Sequence, residues 1–209
     1  MGTVFNKKEL LVLLQDFHCL TGLRSAVFDS YGIEVLAYPP ELPAFCSLIR
    51  SVPEGKTGCY LCDQAACRNA TRQKKTIIYP CHAGLIEVIT PIQIDDAVVG
   101  FLLLSHIVQG EDENVEWAYA KKCCAAYNLD TNALHEAYNT LQRTPYPVLK
   151  SAADLLALAA AALYQKGMTR LASDSMQEKL SQYLAAHLHE NLTSETICRA
   201  LSVSRTGLY

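Results

Sequence analysis

Long apolar runs are missing from this sequence of 209 residues. The longest apolar stretch, residues 152–164, contains Asp154 and is shorter than the roughly 20 residues that a membrane-spanning helix needs. The first 15 residues carry Lys7, Lys8 and Glu9 and have no small-residue cleavage site, so they predict an ordinary helix instead of a signal peptide. We therefore expect a cytoplasmic protein with no membrane partner.

An excess of positive charge is also missing. Lysine and arginine number 18 against 21 aspartates and glutamates, which gives a net charge of −3. This balance excludes a chain that binds nucleic acid along its whole surface, so any contact with DNA must come from a local patch. Hydrophobic residues make up 50% of the chain and charged residues 19%, so the composition predicts a folded domain with a real core.

The cysteines are numerous, but they do not form pairs. Nine is an odd number, and a cytoplasmic protein does not normally use a disulfide framework. Four cysteines fall in helical patterns and are expected to pack like small apolar residues: Cys19, Cys123, Cys124 and Cys198. The remaining five lie closer together, between residues 46 and 81.

The order of predicted elements indicates the fold class. Helices are expected at residues 6–20, 45–50, 59–73, 112–127 and 131–142, with a loop at 51–58. Strands are expected in a hairpin at 24–36 and at 76–79, 85–94 and 97–107, the last two joined by a tight turn at Asp95-Asp96. This pattern predicts an α+β fold in which helices flank an antiparallel sheet.

A further helix, at residues 148–165, is rich in alanine and leucine and has two interpretations. Its apolar face packs on the domain's own sheet, or it is a coupling helix that dimerises and transmits a signal. The two roles are compatible. On the second interpretation, we expect a homodimer.

The C-terminal residues carry a helix-turn-helix pattern. An amphipathic helix at 177–190 precedes a helix capped by Thr193, a short turn at Ser202-Val203, and a third helix capped by Ser204. The run at 192–209, above all Val203-Ser204-Arg205-Thr206 followed by Leu208-Tyr209, resembles the first helix-turn-helix of AraC-type transcriptional regulators.

That resemblance implies that Ser204, Arg205 and Thr206 contact DNA in the full-length protein only. The sequence stops a few residues into the recognition helix, so we expect a truncated, partial reader. A plain three-helix tail is the alternative.

The clustered cysteines form a pattern with several chemical interpretations. Cys46 precedes Cys59-x-x-Cys62-Asp63 and Cys67, and Cys81-His82 follows a predicted strand. Thiolates and imidazole are ligands that zinc prefers, although neighbouring strand residues point to opposite faces, so Cys81 and His82 can share a metal only where the strand has ended. The alternatives are a redox-active, thiol-lined pocket and a set of packed core cysteines around an apolar cavity.

The same region resembles a known sensory family. The stretches 45–50, 59–63 and 79–85, followed by Thr90-Pro91-Ile92 and Val99-Gly100-Phe101-Leu102, are similar to the PocR-type sensory domain over residues 10–141. The resemblance implies a variant of the PAS fold that senses small hydrocarbon derivatives such as short diols and polyols. Such domains often precede AraC-type readers or histidine kinases.

Carried over residue by residue, the marked positions of the family fall on Cys46, Cys59, Asp63, Cys81 and His82, while Cys62 and Cys67 are extras of this sequence. The candidate metal ligands are then Cys46, Cys59, Cys81 and His82. The sequence does not identify the cofactor, and zinc is the metal that we consider. Ser105-His106 stands where the family usually has a Gly-Gln pair, so the ligand of this protein can differ from that of other family members.

The sequence thus predicts a ligand-sensing domain at 1–145, a coupling helix at 146–175 and a partial AraC-type helix-turn-helix at 176–209. The expected ligand-binding set is Cys46, Cys59, Tyr79, Cys81, His82, Glu87 and His106. Glu87 stands in an otherwise apolar strand, where a carboxylate needs either a partner or a ligand. We expect no enzyme, because neighbours in sequence rarely form a nucleophile–base pair and no third catalytic member is evident.

Overall fold

The computed structural model describes residues 3–171, 183–184, 193–201 and 203. Its centre is a five-stranded sheet in the order β3-β2-β6-β5-β4, in which every neighbouring pair is antiparallel. The strands are β2 (Arg24–Asp29), β3 (Glu34–Tyr38), β4 (Ile77–Pro80), β5 (Ile86–Ile94) and β6 (Ala97–Ile107), while β1 (Thr3–Phe5) pairs with β7 (Thr169–Leu171) in a separate two-stranded sheet. The predicted α+β fold with an antiparallel sheet is confirmed.

Six helices accompany the sheet within the part of the chain that ends at residue 171. They are α1 (Lys7–Thr21), α2 (Ala44–Arg50), α3 (Pro53–Gln73), α4 (Glu113–Cys124, followed by a 3-10 turn at Ala125–Tyr127), α5 (Thr131–Tyr138) and α6 (Tyr146–Ala162). Aspartates cap two of them, because the Asp112 and Asp130 side chains accept hydrogen bonds from free backbone N–H groups of the first turns of α4 and α5. Among the described helices, none has the length and apolar character to cross a membrane.

The start of α3 corrects the sequence prediction. The segment 51–58, expected to be a loop, is helical from Pro53, which occupies the first turn, where a missing N–H costs nothing. The glycines of this segment allow close packing. A side chain on Gly55 would collide with the backbone carbonyl of Ile49, so this glycine lets α2 and α3 meet.

The two faces of the sheet are covered by different helices. On one face, α3 packs against β4 and β5, and an apolar cluster forms from Ala26, Phe28, Ala66, Cys67, Ala70, Ile89, Phe101 and Leu103. Side chains alternate along a strand, so Val88 and Thr90 point to the other face, where Thr90 lies beside Ala157 and Ala161 of α6. The α1 helix contacts β2 and β3.

The α6 helix packs on β5 and β6, as one of its two sequence interpretations expects. It buries Leu149, Ala152, Ala153, Leu156 and Ala160. It belongs to a compact unit that runs from Thr3 to Arg170, beyond the domain end expected at residue 145. The coupling role of this helix stays a prediction.

In the C-terminal unit, the structure describes the short helix Ser194–Ala200. Thr193 caps it through a reciprocal pair of hydrogen bonds with Thr196, so the predicted cap and helix are confirmed. Most of the helix expected at 177–190, and the DNA-binding candidates Ser204, Arg205 and Thr206, lie outside the described residues.

Candidate functional site

The site begins with an irregularity between β5 and β6. Ile86 pairs with Ile107, but Val88 pairs with Leu104, so Glu87 alone faces two residues, Ser105 and His106. This is a β-bulge, and His106 has a φ of 66°, a left-handed conformation that is uncommon for a residue other than glycine. A bulge re-aims side chains, and here Glu87 and His106 line the same cavity.

The cavity lies where α2, α3 and the turn after β4 meet the bulge. Its volume is about 20 Å³, which is room for about one water molecule. Its lining consists of Cys46, Ile49, Arg50, Cys59, Cys62, Asp63, Cys81, His82, Ala83, Glu87 and His106. Six of the seven residues expected to bind ligand are therefore brought together. The seventh, Tyr79, contacts the cavity residue Glu87.

The turn after β4 explains how Cys81 and His82 both reach the cavity. β4 ends at Pro80, and the N–H of Cys81 then donates to the carbonyl of Leu85 at 2.7 Å. Gly84, with a φ of 84°, closes the turn by donating to the carbonyl of Cys81 at 3.0 Å. Because the strand has ended, the alternation of side chains no longer separates Cys81 from His82.

His82 is held at both ring nitrogens. Nδ1 lies 2.7 Å from the hydroxyl of Tyr127, and Nε2 lies 3.1 Å from Sγ of Cys59. Gly58 makes room for the ring, because a Cβ there would lie 2.7 Å from Nδ1. Burial, together with the nearby Arg50, lowers the pKa of His82, so its imidazole is neutral at neutral pH.

Glu87 is a buried carboxyl group, with only 7% of its surface exposed, so little solvent is available to stabilise its charge. The hydroxyl of Tyr79, its directly paired neighbour on β4, donates to Oε2 at 2.8 Å. Burial, and secondly the charge of Asp63, raise the pKa of Glu87 to about 8. Glu87 is therefore largely protonated at neutral pH. Burial also raises the pKa of Asp63, to about 6.

Two nitrogen-bearing side chains complete the polar lining. Arg50 lies close enough to Cys59 for its charge to act on the thiol, and its buried Nε has no hydrogen-bond partner among the described residues. Nδ1 of His106 lies 3.1 Å from Oγ of Ser105. Burial lowers the pKa of His106 to about 3, so this imidazole is also neutral.

The cavity thiols are neutral as well. Burial raises the pKa of Cys46, Cys62 and Cys81, to about 11 for Cys62. Metal ligation requires thiolates, and a metal would have to displace these protons. Within the described part of the chain, no three His, Cys, Asp or Glu side chains stand together as a metal site, so the set Cys46, Cys59, Cys81 and His82 stays a prediction.

Five cavity residues were not in the expected binding set: the apolar Ile49 and Ala83, and Arg50, Cys62 and Asp63. Cys62 and Asp63 follow Cys59 by three and four positions, and this spacing places all three on one face of a helix, which is a signal that the sequence contained. Arg50 carried no comparable signal. Cys67 was grouped with the others in the sequence, but it packs in the apolar cluster beneath α3.

An antiparallel sheet with helices on both faces, and a polar cavity at a strand bulge, are consistent with a PAS-like sensory domain. The profile of the family described as "Sensory domain found in PocR" matches residues 3–168, and the chain belongs to this family. The match includes α6.

A curated relative supports the assignment. The chain is 25% identical, over 222 residues, to the regulatory protein PocR of Salmonella typhimurium strain LT2, and the alignment covers 97% of this chain and 72% of that protein. The family is a regulatory sensory domain and not an enzyme family, which confirms that prediction. A ligand-sensing regulatory role with a small-molecule effector follows.

Proposed function

We propose that this chain is the ligand-sensing part of a bacterial transcriptional regulator, and that the cavity at the bulge receives a hydroxyl end of a short diol or polyol. The observation that carries the proposal is the chemistry of the lining. A protonated carboxyl (Glu87), two neutral imidazoles (His82 and His106) and an unpaired guanidinium N–H (Arg50) face one small space. A hydroxyl group both donates and accepts, so it suits such a mixture of donors and acceptors.

The balance of charge favours a neutral effector. Asp63, whose pKa is raised only to about 6, is mostly ionised at neutral pH and would repel a carboxylate ligand. Arg50 would repel a cationic one. A neutral polyol accepts from Nε of Arg50 and donates to the carboxylate of Asp63 without placing a new charge in a buried site.

On this proposal, Cys46, Cys59, Cys81, His82, Glu87 and His106 contact the effector. Tyr79 does not contact the effector itself. Its hydroxyl donates a hydrogen bond to one oxygen of Glu87 and so holds the carboxyl group in place. The thiols supply polarisable, weakly polar walls, which suit the carbon chain of a diol.

The effector site is tested by binding measurements on purified protein. Isothermal titration with propane-1,2-diol, propane-1,3-diol and glycerol should show binding of at least one of them to the unaltered chain. His82→Ala and Cys81→Ala should then weaken that binding by roughly tenfold, the equivalent of one lost hydrogen bond or apolar contact. Cys19→Ala is the matched control, since Cys19 is exposed and lies outside the cavity lining. Unchanged affinities in the cavity variants would show that the effector site lies elsewhere.

The proposed output is control of an AraC-type DNA reader in the cytoplasm. Ser204, Arg205 and Thr206 would contact DNA in the full-length regulator, which we expect to act as a homodimer. The packing of α6 on β5 supports a coupling role, because β5 also carries Glu87. The ligand can shift the arrangement of α6 only by its difference in affinity for the two states. Electrophoretic mobility shifts of the full-length protein on its operator, with and without the diol, test this step.

A metal or redox input is the second candidate. It rests on the contact of 3.1 Å between Sγ of Cys59 and Nε2 of His82, a pair that can bind a metal or form a reactive thiolate. Elemental analysis by mass spectrometry with parallel thiol titration separates it from the first candidate. Near-stoichiometric zinc or iron, together with several unreactive thiols, would favour the metal site over the diol site. Thiols that titrate freely in a metal-free protein would support the diol site.

A further inference from the structure

A second, larger cavity lies beside the first. It has a volume of about 320 Å³ and opens to the surface between the end of α1, the start of β2 and the loop that leads into α2. Its lining comprises His18, Gly22, Leu23, Arg24, Pro39, Glu41, Leu42, Pro43, Ser105, His106, Thr140, Leu141 and Gln142. This volume falls within the range of small-molecule sites, whereas about 20 Å³ does not.

His106 lines both cavities. It occupies the bulge of β6 in a left-handed conformation, and only 8% of its surface is exposed. Left-handed residues other than glycine persist where surrounding structure holds them, and they gather at ligand clamps and switches. The imidazole therefore stands at the boundary between a closed compartment and an open one.

The two cavities also share an electrostatic environment. Arg24 lines the open cavity, where its Nε donates to the carbonyl of Pro39 at 3.0 Å and its guanidinium pairs with Glu34 at 3.2 Å. Its charge acts on Glu87 and His106 of the closed cavity. The charge of Arg24, in the open cavity, therefore influences the polar groups that a ligand would meet in the other cavity.

We propose that the two cavities are compartments of one effector site and that the side chain of His106 separates them and sets the length of ligand accepted. The proposal rests on the proposed function and adds to it a determinant of specificity. The closed compartment has room for one hydroxyl end, beside Glu87 and Arg50. The remainder of a longer ligand extends past His106 towards Arg24 and Gln142 in the open compartment.

The test compares ligands of two lengths on matched variants. His106→Gly removes the imidazole and keeps a residue that adopts a positive φ without strain, and His106→Asn is the second variant, since asparagine also tolerates this conformation. Lys74→Gly is the backbone control, because Lys74 has a φ of 51° and lines neither cavity. Dissociation constants for propane-1,3-diol and hexane-1,6-diol are measured by isothermal titration.

The expected result is a change in selectivity. The ratio of the two dissociation constants should shift by roughly tenfold towards hexane-1,6-diol in His106→Gly, by less in His106→Asn, and not at all in Lys74→Gly. A ratio that stays constant across all variants would overturn the role of His106 while leaving the effector site intact. If neither diol bound the unaltered chain, that result would instead count against the proposed function itself.

Discussion

The layer between α3 and the sheet has two ends that differ in almost every physical respect. At one end, Ile89 pairs in regular register with Leu103, and the neighbouring side chains are apolar and fully packed. At the other end, two residues away along the same face of β5, Glu87 meets a bulge, and polar side chains surround a small cavity. The same strand and the same helix thus build a core at one end and a site at the other.

The difference between the two ends shows that forming the site costs the fold some stability. The apolar end removes large side chains from water, which stabilises the fold by about 25 cal/mol per Å² of apolar area buried. The polar end buries Glu87 and His106, whose charged forms are costly there, and it keeps both of them neutral. We expect substitutions at the first end to change stability, and those at the second to change mainly binding and pH dependence.

The largest effect is expected at the apolar end. Phe101 is 1% exposed in the cluster beneath α3, so Phe101→Ala should lower the free energy of unfolding by about 3–5 kcal/mol through lost burial and a residual cavity. Urea unfolding, followed by circular dichroism, measures this loss. Tyr119→Ala is the control, because Tyr119 is 49% exposed and its removal should cost less than about 0.5 kcal/mol. Equal losses in both variants would show that the cluster is not the stabilising end.

The next effect is a pH dependence at the polar end. The folded-state pKa of Glu87 is raised from 4.5 to about 8, so the folded chain holds a proton that the unfolded chain releases. Its contribution to stability is present in full below pH 4.5, and it is lost as the pH rises towards 8, by up to about 1.4 kcal/mol per pH unit. Glu87→Gln cannot titrate and should remove this loss.

Urea unfolding of both proteins across this range tests the assignment. The glutamine variant should gain in stability relative to the unaltered chain as the pH rises, because Asp63 and the other titrating groups remain in both. Parallel pH profiles for the two proteins would contradict a protonated Glu87.

A smaller effect is expected where α3 makes room for His82. A Cβ at position 58 would lie 2.7 Å from Nδ1 of His82 and 3.1 Å from the hydroxyl of Tyr127, so Gly58→Ala must displace one of these groups. We expect a loss of about 1–3 kcal/mol of stability from overpacking, together with weaker effector binding. A variant that keeps full affinity for the effector would show that the position of His82 does not matter.

The smallest effect isolates one hydrogen bond. Tyr127→Phe keeps the ring but removes the hydroxyl that lies 2.7 Å from Nδ1 of His82. The expected cost is about 1 kcal/mol in stability, and the ring of His82 should gain freedom, visible in its nuclear magnetic resonance line widths. Tyr31→Phe is the control, because Tyr31 is a largely exposed tyrosine outside the cavity lining.

The fold and most of the site residues could be predicted from local patterns. The strand-length apolar segments on either side of Asp95-Asp96 predict β5 and β6, and the isolated glutamate within the first of them indicates Glu87 as a site residue. The spacing of Cys59, Cys62 and Asp63 also predicts that they share one helix face. The beginning of α3 could not be predicted, because glycines such as Gly55 and Gly58 are typical of a loop unless their close neighbours Ile49 and His82 are known.

Other features depend on contacts between distant parts of the chain. Arg50 and Tyr127 reach the site only through the packing of α2 and the turn after α4, and neither lies in a distinctive motif. The bulge at His106 depends on a register shift between two strands, which alternation within one strand does not reveal. The second cavity likewise joins segments from residue 18 to residue 142.

The central claim is that the cavity at the bulge is the effector site, and differential alkylation of the cysteines tests it most directly. Each of the nine cysteines is followed by mass spectrometry during reaction with iodoacetamide, with and without a saturating short diol. The account predicts that the diol slows alkylation of Cys59 and Cys62, which line the cavity and are partly exposed, and leaves exposed Cys19 unchanged. Protection spread evenly over all cysteines, or absent from Cys59 and Cys62 while the diol is bound, would contradict it.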